Sequence, residues 1–170
     1  MRTLLNRYLD TDGDGSGTKN ARGTYLAATD FFLAPGTEES FVVESLTIKI
    51  EATGALSAAD YGTLPALAPT GIGLYHDKGP AAGGLIDLLD GITITRHYEW
   101  LTLPHKAPHV DTTPLGGVTT NFFLAEICFR EPLILVGKYA QALRVRLPAE
   151  DFSGLDGHYF LARGTVGGSV

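Results

Sequence analysis

Apolar and polar residues alternate with a period of two along several short segments of the chain. The clearest is the segment 41–51, where three aliphatic residues alternate with three polar ones: Leu46, Ile48 and Ile50 against Thr47, Lys49 and Glu51. This period places one set of side chains in a core and the other in water, as in a half-buried β-strand. The segment 142–147 alternates in the same way, with Arg144 and Arg146 on the polar side. Both segments are predicted strands.

Turn signals separate the remaining apolar runs. The chain has 21 glycines and 9 prolines, spread along its whole length. Asp90-Gly91 and Asp156-Gly157 are typical hairpin turns, and Glu131-Pro132 predicts a bend within an apolar run. Further strands are predicted at 25–33, 71–76, 92–103, 119–129, 133–136 and 158–163. Helical periodicity is limited to one or two turns at 57–61 and 85–89.

About eight strands joined by turns are typical of two packed antiparallel sheets. We therefore predict an all-β protein with an antiparallel, jelly-roll-like β-sandwich as a single domain at 25–170. An N-terminal arm with an Asp/Gly-rich turn is predicted at 1–24. The connections at 52–70 and 104–118 are longer than hairpin loops, so they are expected to cover an end of the sandwich or to reach a partner.

Charge and composition narrow the function classes. The net charge is −6, and neither half of the 170 residues is basic, so nucleic acid is not an expected partner. The N-terminus shows no signal peptide, and no apolar run is long enough for a membrane helix, so synthesis in the cytosol and no membrane partner are expected. Cys128 is the one cysteine, and its apolar neighbours predict a buried, reduced thiol.

The segment 10–21 is the main candidate for metal chemistry. Asp10, Asp12 and Asp14 occupy positions one, three and five of an EF-hand loop, and Gly15 occupies the turn position. Position twelve is Ala21, where a bidentate glutamate is needed. One interpretation is a calcium site formed by the three aspartates and completed by a distant carboxylate. The other is a tight turn with no cofactor, which the missing glutamate favours.

The other candidate residues match no complete catalytic motif. His105 and His109 have the spacing of zinc ligands on a helix, but Pro104 and Pro108 exclude a helix there. There is no nucleophile elbow and no phosphate-binding loop. The segment 97–100 contains Tyr98 and Trp100, which could stack on a sugar or anchor a strand in the core; the core interpretation is favoured.

The N-terminal segment resembles a group of small virion proteins of tailed bacteriophages. The resemblance is carried by the Asp-Gly-Asp-Gly-Ser-Gly-Thr loop at 12–18 after Leu5-Asn6-Arg7-Tyr8, followed by Ala34-Pro35-Gly36 and the alternating strand at 41–51. It covers about a third of the chain, an extent that marks a motif rather than a whole domain. The motif holds no catalytic residue, so the resemblance implies a role in assembly.

Three functions follow as expectations. The first is a non-enzymatic structural protein of the virion, a capsid decoration, minor capsid or tail-associated component. It would form a homo-oligomer and bind other virion proteins such as the major capsid protein. The second is a carbohydrate-binding β-sandwich, either dependent on calcium bound by Asp10, Asp12 and Asp14 or independent of calcium. The third is a jelly-roll hydrolase or isomerase with metal ligands among His97, His105 and His109.

Overall fold

The computed structural model describes residues 3–19, 21–25, 27–52, 72–80, 84–88, 94–106, 119–147 and 152–167. Within these ranges the chain forms β-strands, turns and one short 3-10 helix at Gly137–Tyr139, and no α-helix. The strands are β1 Thr3–Tyr8, β2 Ala21–Tyr25, β3 Thr29–Leu33, β4 Ser40–Ala52, β5 Gly73–Asp77, β6 Leu85–Asp87, β7 Ile94–Lys106, β8 Thr119–Val136, β9 Ala142–Leu147 and β10 Phe152–Gly167.

The strands form two antiparallel sheets. The large sheet has the order β1-β10-β4-β8-β7, and β2 pairs with β10 as well. Because β1 pairs with the second half of β10 and β2 with its first half, β1 and β2 follow one another along the same edge of β10. The small sheet has the order β3-β9-β5-β6.

The core lies between the inner faces of the two sheets, which confirms the predicted antiparallel β-sandwich. The alternating strand β4 contributes Leu46, Ile48 and Ile50, each at most 1% exposed. The small sheet contributes Leu143 and Val145 from β9, both 0% exposed. Apolar side chains on alternate positions of both sheets therefore meet in one cluster, as the hydrophobic pattern predicts.

Pro132 lies at the largest irregularity of the large sheet. Strand β8 continues from Thr119 to Val136, but four of its residues, 129–132, face the single residue Glu44 on β4. Proline has no backbone N–H, so it is tolerated where the ladder is interrupted. The predicted bend is thus an interruption of the pairing with β4 inside one long strand.

The predicted N-terminal arm is part of the sandwich, which corrects the boundary at residue 24. Strand β1 pairs with β10 over six residues. Leu5 and Leu9 are 2% and 4% exposed and belong to the core. The alternation in Leu4-Leu5 is too short to show this from the sequence, because only pairing with β10 decides which leucine faces inward.

Other local predictions also change. The single strand predicted at 25–33 is two strands in different sheets, because β2 ends at Tyr25 in the large sheet and β3 begins at Thr29 in the small one. Asp156-Gly157 is an irregularity within β10, where tertiary pairing with β4 on one side overrides the turn preference. Residues 85–87 form a strand instead of a helical turn.

Some predictions lie outside the described residues. They are the helical turn at 57–61, most of the connections at 52–70 and 104–118, and the Asp90-Gly91 turn.

Cys128 is half-buried, so the expectation of a buried thiol is wrong. Its pairing partner Ser45 lies on the outer face of β4, so Cys128 faces outward too. In the described part of the chain, no helix is long and apolar enough to cross a membrane.

Candidate functional site

The segment 10–19, here called the aspartate loop, interrupts the edge strand of the large sheet. The N–H of Leu9 still donates to the carbonyl oxygen of Phe160 on β10, at 2.8 Å. The chain returns to β10 at Ala21, which pairs with His158. The loop therefore connects two strands, β1 and β2, that both pair with β10.

Carboxylates within the aspartate loop accept hydrogen bonds from its own backbone. Asp10 Oδ1 accepts from the N–H groups of Asp12, at 3.1 Å, and of Gly13. Asp10 Oδ2 accepts from the N–H of Gly17 at 3.0 Å. Asp14 Oδ1 accepts from the N–H of Ser16 at 2.8 Å, and hydrogen bonds from Ser16 hold the pKa of the Asp14 carboxyl below its usual value. Aspartate is suited to this position because its short side chain reaches backbone groups two or three residues ahead.

The aspartate loop also pairs with the edge of the small sheet. Phe32 on β3 donates its N–H to the carbonyl oxygen of Asp10 at 2.8 Å, and the N–H of Ala34 donates to that of Gly13, also at 2.8 Å. Gly13 has φ +82°, and a Cβ there would lie 1.9 Å from a ring carbon of Phe32. The loop thus joins the two sheets and covers polar groups that an unpaired edge would expose.

The structure places Asp10, Asp12 and Asp14 in one turn, as predicted, but it uses Asp10 to hold the turn together. Within the described ranges, no group of three or more His, Cys, Asp or Glu side chains is arranged to hold a metal ion. Ala21, at the position of the missing glutamate, begins β2. In this arrangement the carboxylates of Asp10 and Asp14 accept backbone hydrogen bonds. Calcium binding is the alternative interpretation, and titration with calcium tests it.

A small cavity lies between the aspartate loop and β2. It measures about 170 Å³, and its lining includes Asp10, Tyr25, Phe31 and His158. Pockets that hold drug-sized ligands usually measure roughly 300 to 1,000 Å³. This cavity therefore suits a few water molecules better than an organic ligand.

His158 is buried among aromatic rings beside this cavity. It is 1% exposed, and its ring lies 5.3 to 5.4 Å from the rings of Phe31 and Tyr25. Tyr25 Oη and His158 Nε2 lie 3.2 Å apart, within hydrogen-bond distance, and His158 Nδ1 has no partner among the described residues. Because burial disfavours the charged ring, the pKa of His158 falls to about 4.

A second buried histidine lies in the small sheet. His76 on β5 is 4% exposed and points inward beside Leu74. Burial, followed by the charge of Lys78, lowers the pKa of His76 to about 4. Both histidines are therefore neutral in the folded protein at neutral pH. Sequence reasoning missed both, because the burial of a histidine in a short strand is decided only when the strand is paired.

The outer face of the small sheet carries a network of arginines, aspartates and aromatic rings that sequence reasoning missed. Asp30 accepts two hydrogen bonds from Arg146, at 2.6 and 2.8 Å, which lower the pKa of Asp30. Arg144 binds Asp77 at 2.8 Å.

Each guanidinium also lies over an aromatic ring, Arg144 over Phe32 at 4.8 Å and Arg146 over Tyr75 at 5.5 Å. The polar alternation at 142–147 was visible in the sequence, but the partners come from β3 and β5, distant in the chain.

For the remaining candidates, the structure describes the strand pairing of the backbone. His97 on β7 pairs with Ile127, and His105 pairs with Thr120. Trp100 pairs with Leu124 on the same strand pair. His109 lies outside the described residues. The structure thus puts His97 and His105 on one strand and does not gather a described set of histidines.

Comparisons with protein-family models, with curated proteins and with solved structures give no match for this chain.

Proposed function

We propose that this protein is a non-enzymatic structural component of a bacteriophage particle. It is made in the host cytoplasm, resides in the virion, and acts by self-association and by binding coat proteins such as the major capsid protein. The resemblance of its N-terminal segment to small phage virion proteins supports this class. Its place in the particle is that of a capsid decoration, minor capsid or tail-associated component.

One observation carries the proposal: large apolar side chains are exposed on the outer surfaces of a sandwich that already has a well-filled core. Leu4 is 81% exposed, Ile134 56% and Tyr139 51%. Leu85 and Ile86 on the small sheet are 43% and 46% exposed. Large apolar side chains left exposed on a folded domain are candidates for protein–protein contact.

The motif behind the resemblance has a structural task in this fold. Asp10 closes the turn, and Gly13 allows the loop to approach Phe32. Both residues lie in the loop that pairs with β3, so a structural task within the fold accounts for this segment.

The surface geometry favours protein contact over stacking on sugars. One face of the Phe32 ring and one face of the Tyr75 ring are covered by guanidinium groups. A sugar-binding platform needs open aromatic faces. Screening the purified protein on a glycan array, with and without calcium, is expected to show no retention.

Mass spectrometry of purified virions tests the proposal directly. We expect the protein in stoichiometric amounts in virions of the phage that encodes it. Particles produced without the gene should take up the purified protein when it is added back. The proposal fails if the protein is abundant in infected cells and missing from purified virions.

A further inference from the structure

The outer face of the large sheet carries an apolar row that crosses four strands. Pairing places Leu4 of β1, Thr165 of β10, Val42 of β4 and Ile134 of β8 side by side. Paired residues of an antiparallel sheet face the same side, and the next residues inward, Leu5, Val43 and Leu133, are buried. The row therefore points to solvent, with its two most exposed members, Leu4 and Ile134, at its ends.

Opposite charges lie beside this apolar row. Arg163 of β10 pairs with Ser45 of β4, one row farther along the sheet, and Glu44 precedes Ser45 in the bulge of β4. Arg163 and Glu44 are both exposed. Arg163 Nη1 donates to Thr47 Oγ1 at 3.1 Å, which leaves other guanidinium donors. Neither residue forms an ion pair with another described residue.

This arrangement is self-complementary under one symmetry operation. A two-fold axis parallel to the strands, midway between β4 and β10, lays β10 of one copy over β4 of the other and β1 over β8. Leu4 then meets Ile134 of the second copy, and Val42 meets Thr165. Arg163 meets Glu44 of the second copy, and every contact occurs twice. An isologous interface requires a patch that matches itself in this way.

We propose that two copies of this chain pack face to face through the apolar row, with Arg163 of each copy paired to Glu44 of the other. The biological meaning of this dimer rests on the proposed function. The partner is a second copy of the chain, and the contact is the outer face of the large sheet. The charge pairing selects this axis: a two-fold axis along the row would also lay apolar side chains on apolar side chains, but it would separate Arg163 from Glu44.

A charge-reversal mixture tests the pairing. Arg163→Glu leaves two glutamates facing each other across the interface, and Glu44→Arg leaves two arginines. Each variant alone is expected to be a monomer by sedimentation and native mass spectrometry, under conditions in which the wild type is a dimer. An equal mixture should form a dimer with one copy of each variant, because both cross-interface pairs are then of opposite charge.

The matched control is Lys19→Glu, which makes the same kind of charge change at an exposed position in the aspartate loop. It should remain a dimer. Circular dichroism spectra of all variants should match the wild type, since the substituted side chains are exposed. A mixture that stays monomeric, or single variants that dimerise as the wild type does, would overturn the inference.

Cross-linking tests the apolar ends of the row. In a Cys128→Ser background, Leu4→Cys and Ile134→Cys proteins are mixed and treated with a short bifunctional thiol reagent, because facing sheets lie roughly 10 Å apart, beyond the reach of a disulfide. A cross-linked dimer is expected from the mixture and not from either protein alone. In a dimer of one variant the two introduced cysteines are three strand spacings apart along the interface, roughly 14 Å or more, which is too far for a short reagent. Equal cross-linking of Leu4→Cys alone would contradict the predicted axis.

The two proposals fail separately. A wild-type protein that oligomerises but is insensitive to these substitutions removes this interface and leaves the structural role standing. A dimer that behaves as described, from a protein missing from virions, keeps the interface and removes the virion assignment.

Discussion

At the scale of single residues, glycine and aspartate define the aspartate loop. Gly13 has φ +82° and lies against the ring of Phe32, so both its backbone angle and its missing side chain are needed. Asp10 accepts backbone hydrogen bonds on both carboxylate oxygens. These properties explain the alternation of Asp and Gly without requiring a metal.

Replacing Gly13 by Ala should destabilise the protein strongly. A left-handed backbone costs a non-glycine residue roughly 1 to 2 kcal/mol, and the clash with Phe32 adds a similar amount, so a loss of about 3 kcal/mol in the free energy of unfolding is expected. Gly84→Ala is the matched control: φ is +102°, but an added Cβ meets no atom within 4 Å. Urea unfolding of both variants measures the difference. Equal losses would show that Phe32 does not restrict position 13.

Replacing Asp10 by Ala should lower the free energy of unfolding by about 2 kcal/mol, because the N–H groups of the turn lose a charged acceptor. Asp12→Ala should change it by less than about 0.5 kcal/mol, since the Asp12 carboxylate accepts no hydrogen bond among the described residues. Melting curves with excess calcium and with a chelator complete the test. A calcium-dependent rise in Tm that Asp12→Asn abolishes would establish the metal site instead.

At the scale of secondary-structure elements, the strands before and after the aspartate loop belong to one edge. Strand β1 pairs with the second half of β10 and β2 with its first half. The loop between them reaches across to β3 in the other sheet. Residues 3–19 and 21–25 therefore close one side of the sandwich.

Two adjacent leucines test whether β1 is integral to the fold. Leu5 is 2% exposed and Leu4 is 81% exposed. Leu5→Ala should lower the free energy of unfolding by about 3 kcal/mol, because it leaves a cavity in the core. Leu4→Ala should change it by less than about 0.5 kcal/mol in the monomer. If both changes were small, β1 would be an arm that contributes little to the domain.

At the scale of the whole molecule, two neutral histidines are enclosed by the sandwich, one from each sheet. Their pKa values are about 4 in the folded protein, and 6.5 is the ordinary value. As pH falls from 6.5 towards 4, the unfolded chain takes up protons at these positions before the folded chain does. The contribution of the two neutral histidines to the free energy of unfolding is therefore fully present above pH 6.5. It decreases as the pH falls from 6.5 towards 4.

The expected loss is roughly 3 kcal/mol for each histidine by pH 4. Urea unfolding of the wild type and of His158→Leu, between about pH 7.5 and about 4.5, measures it as a smaller pH slope in the variant. Asp30, whose pKa is lowered by hydrogen bonds from Arg146, contributes stability that is lost only below its ordinary value of 3.8. A variant slope equal to that of the wild type would show that folding does not lower the pKa of His158.

The amino-acid sequence determined the class of the fold, because alternation with a period of two is a local property. Leu46, Ile48 and Ile50 point to one side whatever their partner is, and so do Leu143 and Val145. The turn character of the aspartate loop is local for the same reason: Asp10 reaches backbone groups only a few residues away. Pro132 likewise predicted an interruption because its missing N–H is a property of the residue itself.

Only the tertiary structure decided which strands are neighbours, and with them every feature that depends on pairing. Asp156-Gly157 became part of β10 because pairing with β4 outweighs a local turn preference. Leu5 became a core residue and Leu4 a surface residue only when β1 joined β10. The row of Leu4, Thr165, Val42 and Ile134 draws on four strands from both ends and the middle of the chain. Such a surface has no local signature, because the register of each strand pair is set by contacts between residues far apart in the sequence.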